Sequence, residues 1–254
     1  MIEKIIKKIK RENPKKVYLQ APEGLKNKLQ KISKELDVES VISIDPCYGA
    51  CDLKINEAES LDCDLYVHLG HNKFYKNIKS DVKVLYIPWK LELNFENWKE
   101  LEKIKEEKIA LVSTIQYTQH LNKLKEKLEK KGKKVINAGQ ILGCFYDNLK
   151  NIEKDVVLYV GTGKFHPTGI KNKKVYKMDL EKEKIVDLSD EMLKLEKIRQ
   201  WNIAKAKKAD TFGILVSSKP GQFNEEKLKQ TKKILENKNK TYFVFVANDI
   251  TKEK

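Results

Sequence analysis

The sequence has no stretch approaching the roughly 20 apolar residues of a membrane span. It opens on MIEKIIKKIKREN, where Ile2, Ile5, Ile6 and Ile9 recur at helical spacing among lysines, so the continuous apolar segment of a signal peptide is missing too. Together these absences predict a cytoplasmic protein. Cysteine is scarce, with four in 254 residues: Cys47, Cys51, Cys63 and Cys144. In a reducing compartment they read as buried, reduced or metal-bound side chains rather than as a disulfide framework. Aromatics interleaved with basic residues, and the recognised RNA-binding modules, are also lacking, which argues against a nucleic-acid partner. Lys and Arg nevertheless number 52 against 37 Asp and Glu, a formal net charge of +15. Lysine is evenly spread and interleaved with glutamate, as on solvated helix faces; an acidic partner surface would also respond to such a field.

What the chain does contain is a repeated layout: apolar strand, polar turn, amphipathic helix, second strand. The first copy runs VYLQAPEG (17–24), a helix with Leu25, Leu29, Ile32 and Leu36 on one face, then VISIDP (41–46). The second runs ALVSTIQY (110–117), a helix with Leu121, Leu124 and Leu128, then KVINAG (134–139). The third runs GILVSSKPGQ (213–222), a helix with Leu228, Ile234 and Leu235, then YFVFVA (242–247). Further strands are expected at 65–70, 82–88, 156–163 and 174–179, and a long helix at about 189–208. Strands alternating with helices imply βαβ units and parallel sheets, and the nearly continuous β-branched runs fit strands covered on both faces. The expected fold is α/β, with three small Rossmann-like domains over 1–90, 91–187 and 188–254. The third has only two strands and a helix, a poor independent sheet.

In α/β sheets ligands bind beyond the carboxyl ends of the strands. Cys51 follows the second strand of the first repeat, in DPCYGACD, and Cys144 follows the second strand of the second, in GQILGC. Cys51 lies 34 residues after Val17, and Cys144 lies 34 residues after Ala110. Equivalent cysteines in a repeat can converge on one metal group; equally, they can be buried structural thiols. The neighbouring glycines, Gly49 and Gly143, favour ligation because they let backbone approach a bulky group.

Other motifs are less specific. Cys47 and Cys51 form C-x3-C, but Lys54 stands where a C-x3-C-x2-C motif needs its third cysteine. Cys63 precedes a strand and reads as core. VGTGKFHP (160–167) fails as a P-loop, with Phe165 after the GK pair and Leu158 at the first glycine position. In HLGH, strand alternation directs His68 and His71 to opposite faces, so a joint metal site is not expected there. PEG (22–24) and KPGQ (219–222) follow the first strands of their repeats. Each is either an N–H-rich turn suited to a carboxylate or an ordinary helix-capping turn.

Taken in order, LQAPEGL, DPCYGACD, LYVHLGH, LVSTIQYTQHL, AGQILGC, VGTGKFHPTG and FGILVSSKPGQ resemble the diphthamide synthase family in its archaeal form, the 2-(3-amino-3-carboxypropyl)histidine synthases. The resemblance spans nearly the whole chain. It implies three similar domains around a pseudo-threefold axis, each giving one cysteine to a 4Fe–4S cluster, and a homodimer. It implies that S-adenosylmethionine is cleaved at its Cγ–S bond, and that its 3-amino-3-carboxypropyl group is attached to a histidine of translation elongation factor 2. Carried over by motif, the cluster ligands are Cys51 and Cys144. The family's third ligand lies beyond KPGQ and one further helix and strand, and no cysteine follows Cys144 in this sequence. The third domain is therefore expected to lack its C-terminal part. Cys47 is a candidate stand-in ligand or a tolerated buried thiol. For S-adenosylmethionine itself, the ends of the first strands offer Gln20 and Glu23, Ser113 and Gln116, and Ser217 and Gln222. The alternative to a transferase is a non-catalytic partner subunit or an inactive relic.

Overall fold

The structure is a computed structural model that describes residues 1–74, 80–94, 98–153, 155–219 and 221–250. By compactness the chain divides into two units, Met1–Pro88 with Lys207–Lys254, and Trp89–Ala206.

The first unit opens with helix α1 (Ile2–Arg11), which buries Ile5, Ile6 and Ile9 and turns its lysines outward. It stops at Asn13, whose φ of 50° is left-handed, just before Pro14. Strand β1 (Lys16–Gln20), helix α2 (Lys26–Lys34) and strand β2 (Glu39–Ile42) form the first βαβ unit. A short helix α3 (Ile55–Ser60) then leads to β3 (Leu65–Gly70) and β4 (Lys83–Pro88). The sheet order is β2-β1-β3-β4, and every pairing is parallel. All six β3 residues are buried, as for a central parallel strand covered on both faces. Cys63 is core, packed with Tyr18, Tyr66 and Val82.

The same unit holds the last segment. After α5 (Ser189–Lys208), β10 (Thr211–Ser217) pairs in parallel with β11 (Thr241–Ala247) through α6 (Glu225–Glu236). Asn224 caps α6 by accepting from the Lys227 N–H at 2.8 Å. This two-stranded sheet leaves one face open: Leu215, Phe243 and Phe245 are more than half exposed.

The second unit repeats the plan with β5 (Lys108–Ser113), α4 (Leu121–Glu129), β6 (Lys134–Gln140), β7 (Val156–Val160) and β8 (Lys174–Asp179). Its order is β6-β5-β7-β8-β9, parallel up to β8. Alternation along β5 sends Ile109 and Leu111 into one apolar cluster and Ala110 and Val112 into the other, so both faces are covered. The antiparallel edge strand β9 (Lys184–Asp187) was not expected from sequence. It has only four residues, and what holds it is a local feature, the tight turn at Asp179, which accepts from the Glu181 and Lys182 N–H groups. The α/β class with parallel sheets is the expected one.

Candidate functional site

In both units the chain leaves the first strand for a neighbour on one side and returns to pair on the other. The crevice at such a reversal, at the carboxyl ends of the strands, is where α/β folds bind ligands. In the first unit it lies between β1 and β3, where Gln20 and His68 sit side by side in register. In the second it lies between β5 and β7, at Ser113 and Val160.

Cys51 is half-buried in the loop after β2. The KPGQ turn holds it. Gln222 Nε2 donates to Cys51 Sγ at 3.6 Å, and Gly221 packs so closely that a Cβ there would lie 2.5 Å from Cys51 Cα. Behind the cysteine, Lys219 Nζ reaches Asp52 Oδ1 at 2.7 Å and Asp249 Oδ1 at 2.5 Å. The Lys219 and Asp52 side chains are 6% and 0% exposed, so this pair clamps the turn to the cysteine loop out of water. Burial opposes the Lys219 charge, but Asp249 and Asp52 outweigh it and raise its pKa. Sequence reading missed this clamp, because neither DPCYGACD nor KPGQ alone shows that its charged residue is a buried counter-ion.

Cys144 is exposed, in the loop after β6. The Gly143 N–H beside it donates to His166 Nδ1 at 3.0 Å. The Phe165 ring lies against Gly143, and Tyr146 Oη donates to the His166 carbonyl at 2.7 Å. Burial lowers the His166 pKa, keeping the ring neutral and able to accept. The failed P-loop segment thus acts as a buttress for the Cys144 loop. None of the four cysteines forms a disulfide.

The polar residues singled out at the strand ends differ in setting. Gln20 is fully buried: its Nε2 donates to the Asp52 carbonyl at 2.8 Å, and its Oε1 lies 2.8 Å from His68 Nδ1. Glu23 is exposed and pairs with Lys26 at 2.6 Å. Ser113 is buried, with a hydroxyl that has no hydrogen-bond partner among the described residues. Gln116 accepts the Leu91 N–H at its carbonyl, 3.0 Å away. Ser217 Oγ accepts from the Lys219 N–H at 3.3 Å and donates to the Asn248 carbonyl at 3.4 Å. Gln222 is the one whose side chain meets a candidate ligand cysteine. At KPGQ the Gln222 and Phe223 N–H groups both donate to the Lys219 carbonyl, and at PEG the Leu25 N–H donates to the Pro22 carbonyl. Both are hydrogen-bonded turns.

The HLGH reading needs correction. His68 Nε2 and His71 Nδ1 are 2.9 Å apart, so the two rings do meet. Strand alternation fails because β3 ends at Gly70, whose φ of 109° is available to glycine and departs from extended backbone. Cys47 lies with them, and one ligand atom from each of Cys47, His68 and His71 falls within 4.8 Å of the others.

Fold and site define an α/β protein in which each unit carries a reduced cysteine on a loop beyond the end of a parallel sheet. The sequence pattern of the diphthamide synthesis proteins matches residues 21–254, and this chain belongs to that family. It is 30% identical to the 2-(3-amino-3-carboxypropyl)histidine synthase of Pyrococcus horikoshii, over 98% of this chain and 77% of that protein. It is 32% identical to the synthase of the same name from Methanocaldococcus jannaschii, over 97% of this chain and 75% of that protein. The crystal structure of Dph2 from Pyrococcus horikoshii with a 4Fe–4S cluster superposes with a TM-score of 0.88 at 30% identity, covering 99% of this chain and 78% of that one.

The residues present suit such a cluster by donor chemistry. Two reduced cysteines stand on loops at sheet ends, one of them receiving an amide N–H at its sulfur, a bond that tunes iron–sulfur groups.

Proposed function

We propose that this chain acts in the first step of diphthamide formation, transferring the 3-amino-3-carboxypropyl group of S-adenosylmethionine to a histidine of translation elongation factor 2. The observation that carries this reading is the placing of Cys51 and Cys144 in equivalent loops of a chain that shares its fold with a relative solved with a 4Fe–4S cluster. Cys51 and Cys144 are the thiolates this chain offers to such a cluster, which would supply the electron that breaks the Cγ–S bond.

The chain's own part is to bind, orient and shield. Gln222 orients Cys51 through its amide, and the Lys219–Asp52 pair fixes the loop that carries the thiol. The Glu23 carboxylate is exposed and suits a substrate ammonium group, while Gln116 and Ser217 suit its polar edges. The Ser113 hydroxyl, which has no hydrogen-bond partner among the described residues, lies at the crevice of the second unit. Gln20 acts one layer behind, through His68. Among the described residues no helix is long and apolar enough to cross a membrane, in keeping with a protein substrate in the cytoplasm. We also propose a homodimer. Helix α5 buries none of its residues, and its Leu193, Ile198 and Trp201 are more than half exposed, an apolar face for a second copy to cover.

Anaerobic reconstitution with iron and sulfide, followed by dithionite as reductant and S-adenosylmethionine, tests the reading. The expected result is bound iron and release of 5′-methylthioadenosine, both reduced in Cys51→Ser and Cys144→Ser. Iron loading unchanged in both variants contradicts the cluster assignment.

A further inference from the structure

We propose that Cys47, His68 and His71 form a binding site for one divalent cation of the zinc class, separate from the cysteines assigned to the cluster.

The argument begins with the proton on His68. Gln20 Nε2 donates to the Asp52 carbonyl at 2.8 Å, which turns the amide oxygen toward His68 Nδ1, also at 2.8 Å. Nδ1 must then carry the hydrogen, and Nε2 presents its lone pair. That is the tautomer a metal needs, fixed by a carbonyl-type acceptor on the far nitrogen, as behind metal-bound histidines generally. The Nε2 lone pair points into a small polar cluster whose other members are His71 Nδ1 at 2.9 Å and Cys47 Sγ, all three atoms within 4.8 Å of one another.

The spacing needs little adjustment. A tetrahedral zinc holds nitrogen at about 2.0–2.1 Å and sulfur at about 2.3 Å, which places ligand nitrogens about 3.3 Å apart and sulfur about 3.6 Å from each nitrogen. The two imidazoles would part by a few tenths of an ångström, and each sulfur–nitrogen distance, now within 4.8 Å, would shorten by no more than about 1.2 Å. Without a cation, His71 donates its Nδ1 hydrogen to His68 Nε2. On binding, that hydrogen moves to His71 Nε2 through solvent, so that Nδ1 can ligate, and the Cys47 proton is released to water. The balance is one proton released per cation.

Burial supports the assignment. Cys47 is 5% exposed and His68 is fully buried, while His71 is only partly covered. Two protein nitrogens and one sulfur make three of the four ligands of a tetrahedral site, the number that catalytic zinc sites take from the protein. Burial, with the Asp52 charge second, pushes the Cys47 thiol up to about 12, so in the absence of a cation it stays a protonated, unreactive thiol.

The test uses the full chain, free of iron and sulfide and kept anaerobic, titrated with cobalt(II) alone and in competition with zinc. Wild type should bind one cobalt with a thiolate-to-cobalt charge-transfer band and the visible bands of a four-coordinate ion. A Cys51→Ser/Cys144→Ser variant should do the same, so the result does not depend on the cluster reading. Cys47→Ser should lose the charge-transfer band, and His71→Asn, at a partly exposed position expected to fold, should weaken cobalt binding at least about tenfold. Gln20→Leu should also weaken it, with the band kept. Absence of cobalt binding in wild type, or a charge-transfer band that survives Cys47→Ser and disappears from the Cys51→Ser/Cys144→Ser variant, overturns the proposal.

Discussion

At Gly221 a single hydrogen separates the KPGQ turn from the main chain of Cys51. A methyl group there would lie 2.5 Å from Cys51 Cα and 2.8 Å from both its Cβ and its carbonyl oxygen, atoms that cannot swing away as a side-chain tip can. Gly221→Ala is therefore expected to displace Cys51 and to cost about 1–3 kcal/mol of stability, as overpacking does. The checks are iron retained after reconstitution and chemical denaturation; a variant matching wild type in both contradicts this account of the loop. Residue-scale chemistry was only partly legible. Cys51 and Cys144 stood out because equal offsets in a repeat are visible in one dimension. The meeting of His68 and His71 did not, because it turns on one backbone angle at Gly70 that ends the strand a residue before alternation would carry His71 away.

Elements carry two further predictions. The Lys219–Asp52 pair joins the turn after β10 to the loop after β2, with both side chains almost wholly out of water. Removing one charge leaves the other buried without compensation, so Lys219→Met should cost about 3–5 kcal/mol, far more than replacement of a surface lysine. Lys219→Met/Asp52→Leu should recover part of that loss in thermal or chemical unfolding, and a single variant as stable as wild type would contradict the clamp. The β8–β9 hairpin depends on Asp179. Burial disfavours its charge, but Lys177 at 3.0 Å and the Lys182 and Glu181 N–H groups outweigh that and hold its pKa below the ordinary carboxylate value. A depressed folded value means the unfolded chain takes up the proton first. The stabilisation is thus complete above about pH 4 and is lost as pH falls through the lower folded value. Asp179→Asn should lower stability at neutral pH by about 1–3 kcal/mol and flatten its decline in acid, measured by denaturant unfolding from pH 7 to 3. The helices and central strands were readable because their apolar periods are long and regular. The β9 edge was not, since four residues pinned by a turn carry too short a pattern.

For the whole molecule, family and fold class follow from motifs distributed over nearly the entire chain, which is why both are legible in the sequence alone. The open faces of the β10–β11 sheet and of α5 are a property of the assembled chain and could not be read from composition, because the same residues would be core wherever a partner layer covered them. The central claim concerns chemistry at Cys51 and Cys144, and its most direct measurement is mass spectrometry of elongation factor 2. The factor would be incubated anaerobically with reconstituted chain, a reductant and S-adenosylmethionine. The account predicts one 3-amino-3-carboxypropyl group added to a single histidine, and loss of that addition in Cys51→Ser and in Cys144→Ser. Unmodified elongation factor 2 in the presence of fully cluster-loaded wild type, or modification that survives both substitutions, would contradict it.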